Sequence, residues 1–228
     1  SYEPFTLEQC TNDVAALARV LELPPFIPVG YSMGGPVAQL VWQRHRERVL
    51  GLVLCATATY FATSREEKLS FLGLSGLAAV ARLTPLQARR WLTQQIYLQR
   101  KTELWEPWAI QEASMHDWRM VLEAGRAIGS FSSKEWIGDV DIPTSVVITM
   151  ADHVVPVRRQ VRLFESIQGA EAYRVDGDHD SIVSNAERFL PTLVRAIQSV
   201  IDRAGSTPES ATAPVTAPVT APVAERAG

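Results

Sequence analysis

The chain's 228 residues are 46% hydrophobic and 21% charged, with a net charge of −3 at neutral pH. That balance supports a folded core and excludes a dedicated nucleic-acid or anionic-membrane binder, whose surface is basic. The longest apolar runs, Val49–Ala58 and Phe71–Ala81, stop short of the ~18 residues of a membrane span, so no transmembrane segment is expected. Ser1–Pro4 is polar and leads straight into a helical pattern, and Cys10 and Cys55 read as separate free thiols. Both features predict a reducing, cytoplasmic setting.

Thr6-x-x-Gln9 has the capping-box pattern, and Leu7, Val14, Leu17, Val20 and Leu21 then recur at helical spacing until Leu23-Pro24-Pro25. Phe26–Tyr31 predicts a short strand running into Ser32, and Gly34–Arg48 a helix through Val37, Leu40 and Val41. Val49–Cys55 and Thr144–Met150 are apolar enough for strands buried on both faces. Pro156 opens a helix carrying Val157, Val161 and Phe164 at i, i+4, i+7. Ala170–Asp176 is a weaker last strand, and a helix then runs to about Asp202, with Pro191 implying a kink or a restart.

Strands alternating with helices predict an α/β fold on a parallel sheet. Residues 58–138 interrupt it with helix-prone sequence holding Trp91, Trp105, Trp108, Trp118 and Trp136. An insertion of this size reads as a helical cap, with most of those rings packing its helical hairpins. The chain therefore divides into core residues 1–57, a cap at 58–138, further core at 139–204 and a tail at 205–228. Three tandem Thr-Ala-Pro-Val copies span Thr212–Val223, so the tail is expected to be disordered.

Gly30-Tyr31-Ser32-Met33-Gly34-Gly35 is the strongest chemical signal. With Gly and Ser each at ~7%, G-x-S-x-G arises by chance about 0.08 times in a chain of this length. It falls where a predicted strand turns sharply into a helix, the context that lifts a serine hydroxyl clear of the sheet. Glycines suit the strained turn, and the Met33 N–H at the helix start points toward developing negative charge. Gly73-Leu74-Ser75-Gly76 lacks both the spacing and a preceding strand.

A serine needs a base, and the base needs an orienting acid. Of the four histidines, His45 sits in a charged helical string, His116 in the insert and His153 beside Asp152. His179 follows the last strand, at the sheet edge where parallel folds build their sites. Asp152 follows the previous strand, whereas Asp176, Asp178 and Asp180 lie too near His179 in sequence to reach its far ring nitrogen. Thr57-Ala58-Thr59, after the second strand, offers no carboxylate. The order is Ser32…Asp152…His179.

That order, with the strand–turn–helix serine, resembles the α/β-hydrolase superfamily from about Tyr2 to Asp202. Asp152-His153-Val154-Val155-Pro156 is similar to its acid loop, Gly177–Ser181 to its histidine loop, and the insert to its cap. The resemblance implies Ser32 as nucleophile, His179 as general base, Asp152 as its partner and Met33 N–H as an oxyanion donor. Only 29 residues precede Gly30, and no His-Gly pair marks a second oxyanion loop. The chain is thus expected to be the C-terminal part of such a hydrolase, with Phe26–Tyr31 as a bare sheet edge.

The implied activity is hydrolysis of a small ester, thioester or related acyl compound. No dinucleotide fingerprint or ligand-spaced cluster calls for a cofactor or metal, and the implied partner is a small acyl substrate. The same residue set also suits carbon–carbon bond hydrolysis, haloperoxidase-type chemistry or acyl transfer. The reading from another class is a catalytically inactive binding protein that docks through its Pro-rich tail.

Overall fold

The computed structural model describes residues 5–62, 64–67, 69, 71, 73, 77 and 118–206. Among these, four strands form one sheet in the order β1-β2-β3-β4, all parallel: β1 Val29–Tyr31, β2 Leu52–Cys55, β3 Thr144–Thr149 and β4 Glu171–Val175. Every residue of β2 and β3 is buried, as expected where helices cover both faces of a parallel sheet.

Alternation along the strands divides the core. Leu52, Leu54, Val146 and Ile148 point to one face with Val41 and Trp42 of α2 (Gly34–Arg44) and Leu163 of α4 (Val157–Ser166). Val53, Cys55 and Val147 point to the other, against Phe189, Ala196 and Val200 of α6 (Ala186–Gly205). A third cluster, with Leu7, Leu40, Ala58, Phe61, Phe131 and Val155, packs against Met33.

The first and second strands are shorter than their apolar runs. Pro28 has no N–H to give to a ladder, so pairing upstream of β1 is reduced to one isolated bridge, Phe26 to Val49. Among the described residues β1 is an outer strand, and its Val29 is 47% exposed.

Helix α1 (Leu7–Val20) starts as its sequence predicts, with Thr6 Oγ1 accepting the Gln9 N–H at 3.0 Å. Apart from Leu7, its apolar stripe does not become its buried face. Leu7, Thr11 and Ala18 are buried, while Val14, Leu17, Val20 and Leu21 stay exposed. Helix α1 packs on α2, and the small Thr11 and Ala18 are buried in place of the larger apolar residues. Helix α2 also ends early, at Arg44. His45 leaves helical geometry at φ −134°, and Arg46–Arg48 form a separate 3₁₀ turn.

In the predicted insert, α3 (Trp118–Ser130) is described, as are the residues that lead from it back to the sheet. Trp136 belongs to the core rather than to a cap hairpin, stacking on Trp42 with ring centroids 6.2 Å apart. Trp91, Trp105, Trp108, the Trp118 side chain and residues 207–228 of the tail lie outside the described residues. After β4 the chain forms α5 (Ser181–Ser184), breaks at Asn185 (φ −146°) and restarts as α6. The interruption thus falls at Asn185, and Pro191 lies inside α6. Cys10 is half-buried and Cys55 buried, both as free thiols.

Candidate active site

The turn between β1 and α2 forces Ser32 into the left-handed region at φ 50°, a conformation that costs a non-glycine residue about 1–3 kcal/mol. Three hydrogen bonds hold it there. The Ser32 N–H donates to the Cys55 carbonyl at 2.9 Å, and the Ser32 carbonyl accepts from Gly35 N–H at 3.0 Å and from Thr57 Oγ1 at 2.8 Å. A Cβ on Gly30 would stand 2.3 Å from the Gly34 carbonyl oxygen, and one on Gly35 would stand 2.1 Å from Thr57 Oγ1. Gly34 meets nothing within 4 Å. The packing need for glycine therefore falls on Gly30 and Gly35, one position beyond the G-x-S-x-G pattern.

The three residues selected from the sequence converge at the C-terminal edge of the sheet. His179 Nε2 lies 2.8 Å from Ser32 Oγ, and His179 Nδ1 lies 2.8 Å from Asp152 Oδ2. With Nδ1 protonated toward the carboxylate, Nε2 is left to accept the serine proton. Asp178 turns its carboxylate to its own loop, accepting from Asp180 N–H and Ser181 Oγ, so it does not serve the imidazole. Asp176 and Asp180 are exposed.

His153 is also exposed, despite its place next to Asp152. His45 caps α2 rather than continuing a charged helical string, and its buried Nε2 has no hydrogen-bond partner among the described residues. His116 lies outside the described residues.

Asp152 is 4% exposed and takes five donors. Val154 and Val155 N–H each reach Oδ1 at 2.8 Å, while Thr149 Oγ1 at 2.8 Å, Gln160 Nε2 at 3.1 Å and His179 Nδ1 reach Oδ2. Burial pushes its pKa up. The hydrogen bonds from His179, Val155 N–H and Thr149 outweigh that push and hold the carboxyl below its ordinary value.

Gln160 was not anticipated. The apolar spacing of α4 predicts Val157, Val161 and Phe164 as its inner face, yet Arg159, Gln160 and Leu163 are the buried ones. Arg159 reaches the start of the insert, donating to the Phe61 carbonyl at 2.6 Å and pairing with Glu67 at 2.6 Å. The polar residues hidden in α4 have destinations in the site and the insert, which hydrophobic periodicity cannot register.

Met33 precedes the first turn of α2, and its N–H donates to no backbone acceptor among the described residues. Among those residues no group of three or more His, Cys, Asp or Glu side chains is placed to hold a metal ion, and no helix is long and apolar enough to cross a membrane.

A parallel sheet carrying a serine on a strained strand–helix turn defines an α/β-hydrolase fold. The family model described as serine aminopeptidase, S33, matches residues 6–176, and the chain belongs to that family of α/β-hydrolases. The match stops short of His179. No curated protein sequence matches the chain.

Similar solved structures include an enol-lactonase from Burkholderia xenovorans LB400, 23% identical with a TM-score of 0.66, over 86% of this chain and 74% of that one. An esterase from Thermogutta terrifontis is 21% identical with a TM-score of 0.67, over 87% of this chain and 74% of that one. A bromoperoxidase from Bacillus anthracis is 17% identical with a TM-score of 0.70, over 87% of this chain and 76% of that one. Likeness at this level is a likeness of fold.

Proposed function

We propose that the chain is a serine hydrolase that cleaves a small ester, thioester or related acyl compound through Ser32, His179 and Asp152. The observation that carries this reading is the continuous relay from Ser32 Oγ through His179 to Asp152, with both contacts at 2.8 Å. His179 Nε2 accepts the Ser32 proton as Oγ attacks the acyl carbonyl. The tetrahedral oxyanion lies toward the Met33 N–H at the positive end of α2. His179 then gives its proton to the departing alcohol or thiol, leaving an acyl group on Ser32. Water, deprotonated by His179, attacks that acyl group, and Ser32 recovers its proton as the acid leaves. Asp152 stays ionised throughout, fixing the tautomer and offsetting the imidazolium charge.

Met33 packs with Phe61, Phe131 and Val155, which suits a hydrophobic acyl portion. The esterase and lactonase among the similarly folded proteins support an oxygen ester as donor. The test is a fluorophosphonate probe followed by intact mass. Ser32 is expected to be labelled, and His179→Ala to abolish the labelling; a folded chain that stays unlabelled overturns the reading. With p-nitrophenyl acetate and butyrate beside an aminoacyl p-nitroanilide, the two esters are expected to turn over. Cleavage of the anilide alone would overturn the assignment of substrate class.

A further inference from the structure

The residue between the first glycine and the serine of the elbow, Tyr31, is left without a role by the motif. Its side chain turns to His179 and Phe189. The Tyr31 hydroxyl donates a hydrogen bond to the main-chain carbonyl of His179, 148 residues away in sequence. Its ring lies edge-on to Phe189 of α6 with centroids 5.6 Å apart, and tilted against the His179 imidazole at 5.7 Å. Tyr31 is the last residue of β1, so the strand that delivers Ser32 is also tied to the loop that delivers its partner.

We infer that Tyr31 is a positioning residue: its phenol pins the His179 main chain at the distance from Ser32 that proton transfer requires. This rests on the reading of Ser32 and His179 as nucleophile and base. The imidazole itself is fixed at both nitrogens, by Asp152 and Ser32. Its backbone belongs to the short segment Gly177–Asp180, between β4 and α5. Main-chain ties of this segment run from Ala151 N–H to the Gly177 carbonyl, from Ser181 N–H to the Asp178 carbonyl and from Val183 and Ser184 N–H to the Asp180 carbonyl. They flank His179, and among the described residues none is made by its own N–H or carbonyl. The phenol supplies a tie at His179 itself, from the neighbouring strand.

Burial, with Asp152 as the largest of the nearby charges, keeps the phenol protonated and therefore a donor at any ordinary pH. Phenylalanine at this position keeps the ring and its contact with Phe189, so the fold is retained and only the tie is lost.

Two readouts on Tyr31→Phe test this. In hydrogen–deuterium exchange, the backbone amides of residues 177–182 are expected to exchange about tenfold faster than in the parent chain, with β3 and α6 unchanged. In p-nitrophenyl butyrate hydrolysis, kcat is expected to fall about tenfold with KM nearly unchanged, because ground-state binding does not use the tie. Unchanged exchange in 177–182 overturns the inference whatever the activity. Faster exchange in Tyr31→Phe, together with a parent chain that never reacts with a fluorophosphonate, leaves the anchoring in place and removes the hydrolase reading instead. Faster exchange with undiminished kcat confines Tyr31 to a structural tie and overturns its positioning role.

Discussion

Asp152 is buried beneath five donors, two of them backbone amides and one a fully buried glutamine. Ser32, at the other end of the same relay, is only half-buried, holds a left-handed backbone and sits beside a Met33 N–H with no backbone acceptor among the described residues. The acid end has all its hydrogen bonding satisfied inside the protein, and its charge is fixed before any substrate arrives. The Ser32 end keeps donor capacity in reserve and carries backbone strain. Pre-organised charge behind His179 and unspent donors in front of Ser32 are what the proposed hydrolase needs, since its new charge appears only in the transition state.

The largest effect should come from changing the acid end without changing its shape. Asp152→Asn keeps the volume but presents an amide that favours the wrong imidazole tautomer. A fall in kcat on the order of 10⁴ is expected in p-nitrophenyl ester hydrolysis, with little change in KM. A fall of less than tenfold would mean that the carboxylate's charge does not matter to the relay.

The second test breaks the nucleophile end. In Gly30→Ala the new methyl collides with backbone at Gly34 rather than with a side chain that can swing away. The turn must shift, at a cost of about 1–3 kcal/mol, read as a lower midpoint in urea with loss of Ser32 labelling. Gly34→Ala, with open space around it, is expected to keep both properties, a contrast that the G-x-S-x-G pattern does not foresee.

Gln160→Leu separates charge fixation from charge itself. It leaves Asp152 ionised but removes one of its donors and the acceptor of the Thr149 N–H at 3.1 Å. A stability loss of about 1–3 kcal/mol is expected, since buried groups lose partners they cannot replace with water.

The smallest effect is on pH dependence. A carboxyl more acidic in the folded chain than in the unfolded one adds stability above its unfolded value of ~3.9. That contribution is lost as pH falls through the folded value. Asp152 is such a group, so the parent chain should lose midpoint steeply below about pH 4. Asp152→Asn should start lower at neutral pH and decline less over that acid range. Equal slopes would show that the donors around Asp152 do not favour its charged form.

Much of the candidate site's placement was legible because its residues sit at the ends of strands with strong signals. Leu52–Cys55 and Thr144–Thr149 are apolar runs that any parallel sheet would bury, and Ser32, Asp152 and His179 each follow a strand. The chemistry of a base and an acid then leaves few histidines and aspartates to choose from. What sequence did not disclose depends on contacts between distant residues. Thr57 carries no carboxylate and no motif, yet it braces the Ser32 carbonyl and sets the need for Gly35. Gln160 breaks the apolar period of α4 because its partner is a buried anion, and periodicity counts it as surface. In α1 the pattern points outward, since packing on α2 uses Thr11 and Ala18.

The central claim is that Ser32, activated by His179, takes up the acyl group. Its most direct test is to mix the chain with p-nitrophenyl acetate, quench with acid within the first turnover and map the adduct by peptide mass spectrometry. An acetyl group is expected on Ser32 in the parent chain and none at that position in His179→Ala. Ester hydrolysis with Ser32 unmodified, or an adduct on another residue that survives His179→Ala, would contradict it.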